Sequence, residues 1–197
     1  MIVGIDEAGR GPLAGVVVAC ALHLKEEPPF PVRDSKALSA ASREKIFTWL
    51  AHSAEFAVDI ASSQEIDTHN ILEATLLAFN RAIQRLLTKS PQLKDAHFII
   101  DGLHFHNDLN LHASCIVEAD KKIREVSCAS IVAKVFRDHL MNSVDFLCPQ
   151  WRFAKHKGYP TKEHVLLIQR HALSPFHRRS FAPCKEKVAL TVERSRS

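Results

Sequence analysis

Three apolar runs in this sequence each finish on a carboxylate. "IVGIDE" reaches Asp6 and Glu7, "AHFIID" reaches Asp101, and "HASCIVEAD" reaches Asp120. Carboxylates gathered at one place repel and raise each other's pKa. Hard cations such as Mg²⁺, which prefers a few carboxylates together with waters and phosphate oxygens, relieve that repulsion. Two such ions roughly 4 Å apart can activate a water and stabilise the leaving oxygen of a phosphodiester. For one acidic pair the ordinary alternative is a turn cap at Asp6 with a solvated Glu7. Acids closing three separate strands favour the metal site.

A glycine loop follows the first acids. Gly9, Gly11 and Ala14 fit the spacing of a dinucleotide-binding loop. That motif needs a helix starting in the loop and an acid about twenty residues on. Here "GVVVACAL" is strand-like and prolines stand where the acid should be, so that reading is rejected. Glycines still let a backbone approach a ligand closely, and Arg10 beside them could meet a phosphate or a sugar. A plain tight turn with a solvated Arg10 is the alternative.

The elements that must position these residues alternate without strict order. Residues 2–6 and 14–24, "AEFAVDIA", "AHFIID" and "HASCIVEAD" read as strands. "LSAASREKIFTWLAH", capped by Ser39, reads as a helix, as do "SSQEIDTHNILEATLLAFNRAIQRLL" with a break near Asn70, "SCASIVAKVFRDHLMNSVDFL", and "TKEHVLLIQRHAL" capped by Thr161. This pattern suggests an α/β layer fold with a mixed sheet. From about Pro183 the chain reads as weakly ordered, with 186–197 a flexible tail. A single domain over 1–185 is expected, with its basic helical part beginning near 151.

Composition narrows the classes. The 197 residues, 46% hydrophobic and 24% charged, suit one soluble globular domain. No run is long enough to span a membrane, and the N-terminus does not resemble a signal peptide. Five cysteines without a C-x-x-C pair argue for a reducing, cytoplasmic setting rather than disulfides or a zinc cage. Net charge is +4 but uneven: residues 1–150 carry 15 Lys/Arg against 19 Asp/Glu, and residues 151–197 carry 11 against 3. The basic quarter is a candidate polyanion surface, or else a solvated tail. Asp138 is a rival acid on a helix, expected to pair with Arg137 or Arg178. Histidines 104, 106 and 112 sit in a polar stretch that reads as an exposed loop.

Taken together, "GIDEAGRGPLAG", "DSKALS", "IDTHNILEAT", "IIDG", "ASIVAKVFRD", "HKGYPTKEH" and "HRRSF" resemble, in order, the motifs of the ribonuclease HII family, from Ile2 to about Lys185. The resemblance implies a ribonuclease H-like α/β fold, a mixed five-stranded sheet flanked by helices with a helical C-terminal part. It implies metal-dependent hydrolysis of RNA in RNA–DNA hybrids and of single ribonucleotides embedded in DNA, with Mg²⁺ or Mn²⁺ held by Asp6, Glu7, Asp101 and Asp120. Gly9, Arg10 and Gly11 would touch the ribose 2′-hydroxyl. Tyr159 would stack on the next deoxynucleotide's sugar, and Ser35, Lys36, His177 and Arg178 would meet the substrate's phosphates. No obligate protein partner is expected, and a monomer is the simplest state. The sister ribonuclease HIII and a non-catalytic hybrid-binding module are the alternatives.

Overall fold

The structure is a computed structural model that describes residues 1–30, 32 and 38–194. Its organising strand is β1 (Ile2–Ala8), whose side chains alternate between two layers. Val3 and Ile5 face one core, whereas Gly4 and Asp6 face the other. β2 (Val17–Leu24) runs antiparallel to β1, and β3 (Ala54–Ala61) antiparallel to β2. β4 (His97–Asp101) is parallel to β1, and β5 (Ala113–Ile116) parallel to β4. The sheet order is β3-β2-β1-β4-β5, the mixed five-stranded sheet expected.

Helices cover both faces. α2 (Ser63–His69) and α3 (Ile71–Lys89) lie on one side, where Ala74, Ala78, Phe79, Ala82, Ile83 and Leu86 of α3 recur at helical spacing and pack on Val3, Ile5, Val17 and Ala19. The expected break falls at Asn70, whose φ is 72° and whose side chain accepts from the Leu72 and Glu73 N–H groups, starting α3. On the other side lie α1 (Ala40–Ser53), capped by Ser39 as expected, and α4 (Arg124–Leu147). Ile46 and Leu50 meet Cys128, Ile131, Val132 and Val135 over Val18, Cys20 and Leu22.

A third core joins the glycine loop to the C-terminal part. Leu13 and Ala14 pack with Met141, Trp151, Phe153, Ile168 and Cys184, drawing in α5 (Phe153–His156), α6 (Lys162–Arg170) and α7 (Cys184–Arg194). Thr161 caps α6 as expected, accepting from the His164 N–H at 3.2 Å. Two expectations change here. The weakly ordered stretch from Pro183 is instead α7, with Cys184 buried against Leu13. β2 begins at Val17 rather than at residue 14, because Ala14 pairs with His177 in an isolated bridge and Gly15 turns with φ of 86°.

Gly4 sets how closely α4 approaches β1. A Cβ there would run into the backbone of Glu125 and Val126. Gly4→Ala should therefore lower stability by about 1–3 kcal/mol through overpacking. Urea midpoints for the two proteins test this; an unchanged midpoint would mean that α4 can back away from the strand at no cost.

Candidate active site

The close approach of α4 matters because Asp6, on the same face of β1 as Gly4, meets that helix. Asp6 is 4% exposed, and Ser130 of α4 hydrogen-bonds to its carboxylate. Its Oδ1 also accepts from the Glu7 N–H at 2.7 Å. Asp101 ends β4, the parallel neighbour of β1, and its Oδ1 accepts from the Ala119 N–H at 2.7 Å. That bond ties β4 to the turn holding Asp120, which is 1% exposed.

Asp120 does not end a strand, contrary to expectation. β5 stops at Ile116, Glu118 takes a left-handed φ of 55°, and Asp120 sits in the single 3-10 turn 119–121. The Ser127 hydroxyl donates to the Asp120 carbonyl and holds that turn against α4. One carboxylate oxygen from each of Asp6, Asp101 and Asp120 falls within 4.8 Å of the others. Glu7 is outside this trio. It lines the same cleft, with Oε1 3.6 Å from Arg10 Nη1.

The electrostatics suit a cation. Burial, then the charges of Glu7 and Asp101, push the Asp6 carboxyl well above its ordinary range, against the lowering effect of the Ser130 hydrogen bond. Burial also raises Glu7, with Arg10 opposing. Crowded carboxylates held by strand ends and one buried turn can ionise together when divalent charge offsets them. Their all-oxygen donor set therefore fits Mg²⁺ or Mn²⁺.

The cleft around the acids is about 460 Å³ and is lined by Gly9, Arg10, Arg43, Ser130, Lys134 and Tyr159 besides Asp6, Glu7 and Asp101. Gly11, two residues on from Gly9, is exposed. Tyr159 is 38% exposed, its ring 5.5 Å from Lys134 Nζ and 5.6 Å from the Arg137 guanidinium carbon. The Tyr159 loop is locked to the glycine loop: the Leu13 N–H donates to the Gly158 carbonyl at 2.8 Å. Gly158, with φ of 80°, lies so close to Ala14 that a Cβ would strike the Ala14 carbonyl.

Two expected phosphate contacts are corrected. His177 is 2% exposed and Arg178 is fully buried, so neither side chain faces solvent or a ligand. The Arg178 guanidinium donates to the carbonyls of Gly15 (3.0 Å), Arg10 (2.9 Å) and Gly9 (2.5 Å), so it shapes the glycine loop from behind. His177 packs on Trp151 and His164. Ser35 and Lys36 lie outside the described residues. Asp138 pairs with Lys134 at 2.7 Å rather than with an arginine, and Glu118, two residues before Asp120, pairs with Lys121.

Ser130 and Lys134 line the cleft without having been expected there, and Arg137, expected only as a partner for Asp138, has another task. Arg137 is fully buried and donates to the carbonyls of Val16 (2.9 Å), Ala14 (3.1 Å) and Lys157 (2.9 Å), bridging both loops. The signal was in "ASIVAKVFRD", where Ser130, Lys134 and Arg137 recur on one face of a helix.

Similarity to known proteins agrees with this geometry. The profile described as Ribonuclease HII matches residues 3–184. The chain belongs to the ribonuclease HII family. Like the family's proteins it is an endoribonuclease, a hydrolase. A ribonuclease HII of Thermotoga petrophila is 44% identical over 186 residues, covering 94% of this chain and 75% of that one. The ribonuclease HII of Archaeoglobus fulgidus, solved in complex with PCNA, superimposes with a TM-score of 0.71 at 22% identity, covering 91% of this chain and 93% of that one. Bst ribonuclease HIII, solved with Mn²⁺, gives 0.73 at 17% identity, covering 98% and 70%. These two likenesses give the ribonuclease H fold, which the mixed sheet and its flanking helices share. Ribonuclease H enzymes act on RNA–DNA hybrids and depend on divalent metal. Among the described residues no helix is long and apolar enough to cross a membrane.

Proposed function

We propose that this ribonuclease cuts the RNA strand of RNA–DNA hybrids and also cuts 5′ of single ribonucleotides embedded in duplex DNA, leaving a 3′-hydroxyl and a 5′-phosphate. The observation that supports this reading is one cleft that brings Asp6, Glu7 and Asp101 of the acid cluster together with Gly9, Arg10 and Tyr159. On one side is the Gly9–Gly11 backbone, where glycine permits approach to a ribose 2′-hydroxyl. On the other is the flat face of Tyr159, suited to a sugar lacking that hydroxyl.

Asp6, Asp101 and Asp120 would hold the divalent ions, with Glu7 as the fourth acid. Bound Mg²⁺ or Mn²⁺ supplies Lewis-acid stabilisation of the phosphate's developing charge. The protein's part is to hold the acids and both sugar surfaces in fixed relation. Arg10, beside Glu7 and 47% exposed, is placed to meet a phosphate or the ribose. We read the protein as working without an obligate partner; the complex of the Archaeoglobus fulgidus relative makes PCNA the partner to test. Five free cysteines suit a reducing, cytoplasmic setting.

The test uses a DNA duplex carrying one ribonucleotide and an all-RNA/DNA hybrid, each with Mg²⁺, Mn²⁺ or EDTA. Cutting of both with either metal and of neither in EDTA is expected; an uncut single-ribonucleotide duplex would confine the enzyme to hybrids. Tyr159→Ala should lower kcat/KM on the single-ribonucleotide duplex about tenfold more than on the hybrid, the loss of one stacking contact. An equal loss on both would reduce Tyr159 to a support for its loop.

A further inference from the structure

Beneath Tyr159 lie three buried histidines that cleavage itself does not use. His164 is fully buried, and His177 and His156 are 2% and 6% exposed. They sit among Trp151 and Phe153, with ring centres 4.2 Å apart for Trp151 and His177 and 5.7 Å apart for Phe153 and His164. Burial lowers His164 to about 4 and His177 to about 3, so both are neutral in the fold.

A neutral imidazole donates from one nitrogen and accepts at the other, so the partners assign every proton. His164 Nδ1 lies 2.9 Å from the Tyr159 carbonyl, which can only accept. His164 therefore carries its proton on Nδ1, and its Nε2 accepts. His177 Nε2, 3.1 Å away, must then be the donor. His177 Nδ1 in turn accepts from the Ser174 N–H at 3.1 Å and the Ser174 hydroxyl at 2.8 Å. The chain runs one way, from Ser174 through His177 and His164 to the Tyr159 carbonyl. His156 follows the same logic: Nε2 donates to the Trp151 carbonyl, and Nδ1 accepts from the Gly158 N–H.

We propose that His164 is a positioning residue for substrate choice, its Nδ1–H fixing the Tyr159 carbonyl and so the place of the ring relative to the glycine loop. The proposal rests on reading Tyr159 as the sensor of the deoxynucleotide. The Thr161 N–H also donates to that carbonyl, at 2.8 Å, but it belongs to the same loop and moves with it. His164 instead donates from α6, oriented by a second ring. A lone ribonucleotide must be met on both sides at once, so an error in the ring's position costs that substrate. A long hybrid presents no deoxynucleotide on the cut strand and loses less.

The experiment compares His164→Asn with His164→Gln. The Asn amide nitrogen falls near the Nδ1 position and can still donate to Tyr159. The Gln amide reaches the Nε2 position and cannot. The readout is the ratio of kcat/KM on the single-ribonucleotide duplex to that on the all-RNA/DNA hybrid. His164→Asn should keep the wild-type ratio and His164→Gln should lower it about fivefold, the scale of one lost hydrogen bond. A purely packing role predicts the reverse preference, since Gln fills more space, with both substrates falling together; that result overturns the proposal. Tyr159→Ala is the control. If it leaves the ratio unchanged, the sensor reading itself fails. If it shifts the ratio while the Asn and Gln variants match, only the role of His164 fails. ¹⁵N NMR of the wild-type histidines needs no variant to fold: a proton on His164 Nδ1 and on His177 Nε2 supports the chain, and a proton on His164 Nε2 overturns it.

Discussion

Asp101→Asn should yield a folded protein that cuts at least about a hundredfold more slowly. The asparagine keeps the Oδ1 that accepts from the Ala119 N–H, so the tie between β4 and the turn of Asp120 survives. What disappears is one negative charge from the trio, and with it several kcal/mol of charge stabilisation delivered to the phosphate. Circular dichroism and a cleavage assay check the two halves, and near-normal turnover by a folded variant would remove Asp101 from the site. The same change has a signature without substrate. Asp6 titrates above its ordinary value of 3.8 in the fold, partly because of Asp101. Its ionised form is therefore disfavoured in the folded state. Stability linked to Asp6 is full below 3.8 and is lost as pH rises through the raised folded value. In Asp101→Asn that loss should shrink, so urea midpoints measured across pH in EDTA should fall less steeply than in the wild type. Mn²⁺ should raise the wild-type midpoint near neutral pH and raise the variant's less.

Arg178→Ala should be the most destabilising of the substitutions considered, at about 4 kcal/mol. It deletes three donations from a buried charged group and leaves the carbonyls of Gly9, Arg10 and Gly15 without them. For a chain of this length that corresponds to a fall of roughly 10 °C in Tm. Arg178→Lys should recover little, because one ammonium cannot reproduce a planar fork reaching three carbonyls. The dependence of substrate affinity on salt separates this role from a phosphate contact. A lost phosphate contact makes the log–log slope shallower by roughly 0.9. Under conditions where Arg178→Ala is still folded, the slope should match the wild type. A shallower slope would return Arg178 to the substrate.

The misreading of Arg178 shows what the sequence could and could not convey. A basic side chain in a basic quarter reads as a surface cation, and that default is usually right. Its burial depends on carbonyls more than 160 residues away, turned inward by a glycine loop. Nothing near position 178 carries that information. Asp6 and Glu7, near the end of β1, and Asp101, at the end of β4, were legible because each follows an apolar run, a local pattern that burial enforces. Asp120 was legible as an acid but not as to its place, since the left-handed Glu118 that diverts the chain is a residue type that seldom adopts that conformation. The caps at Ser39 and Thr161 and the break at Asn70 were readable because capping is a neighbour effect. The helix Cys184–Arg194 was not, because its apolar residues are few and Cys184 is held by Leu13, far back in the chain.

The long span between Arg178 and the loop it braces also bears on how the enzyme comes into being. A ribosome releases the glycine loop and the first two acids well before the guanidinium that seats the loop, which arrives 163 to 169 residues later. β1 and β2 can pair as a hairpin at once, but position 178 must emerge before the loop can be braced. Contacts of such separation are slow to form. Refolding from urea should accordingly restore the far-ultraviolet signal before nuclease activity returns, and simultaneous recovery of the two would rule out that order. Until position 178 has been made, the loop beside the acids lacks its brace, whatever the strands have already built.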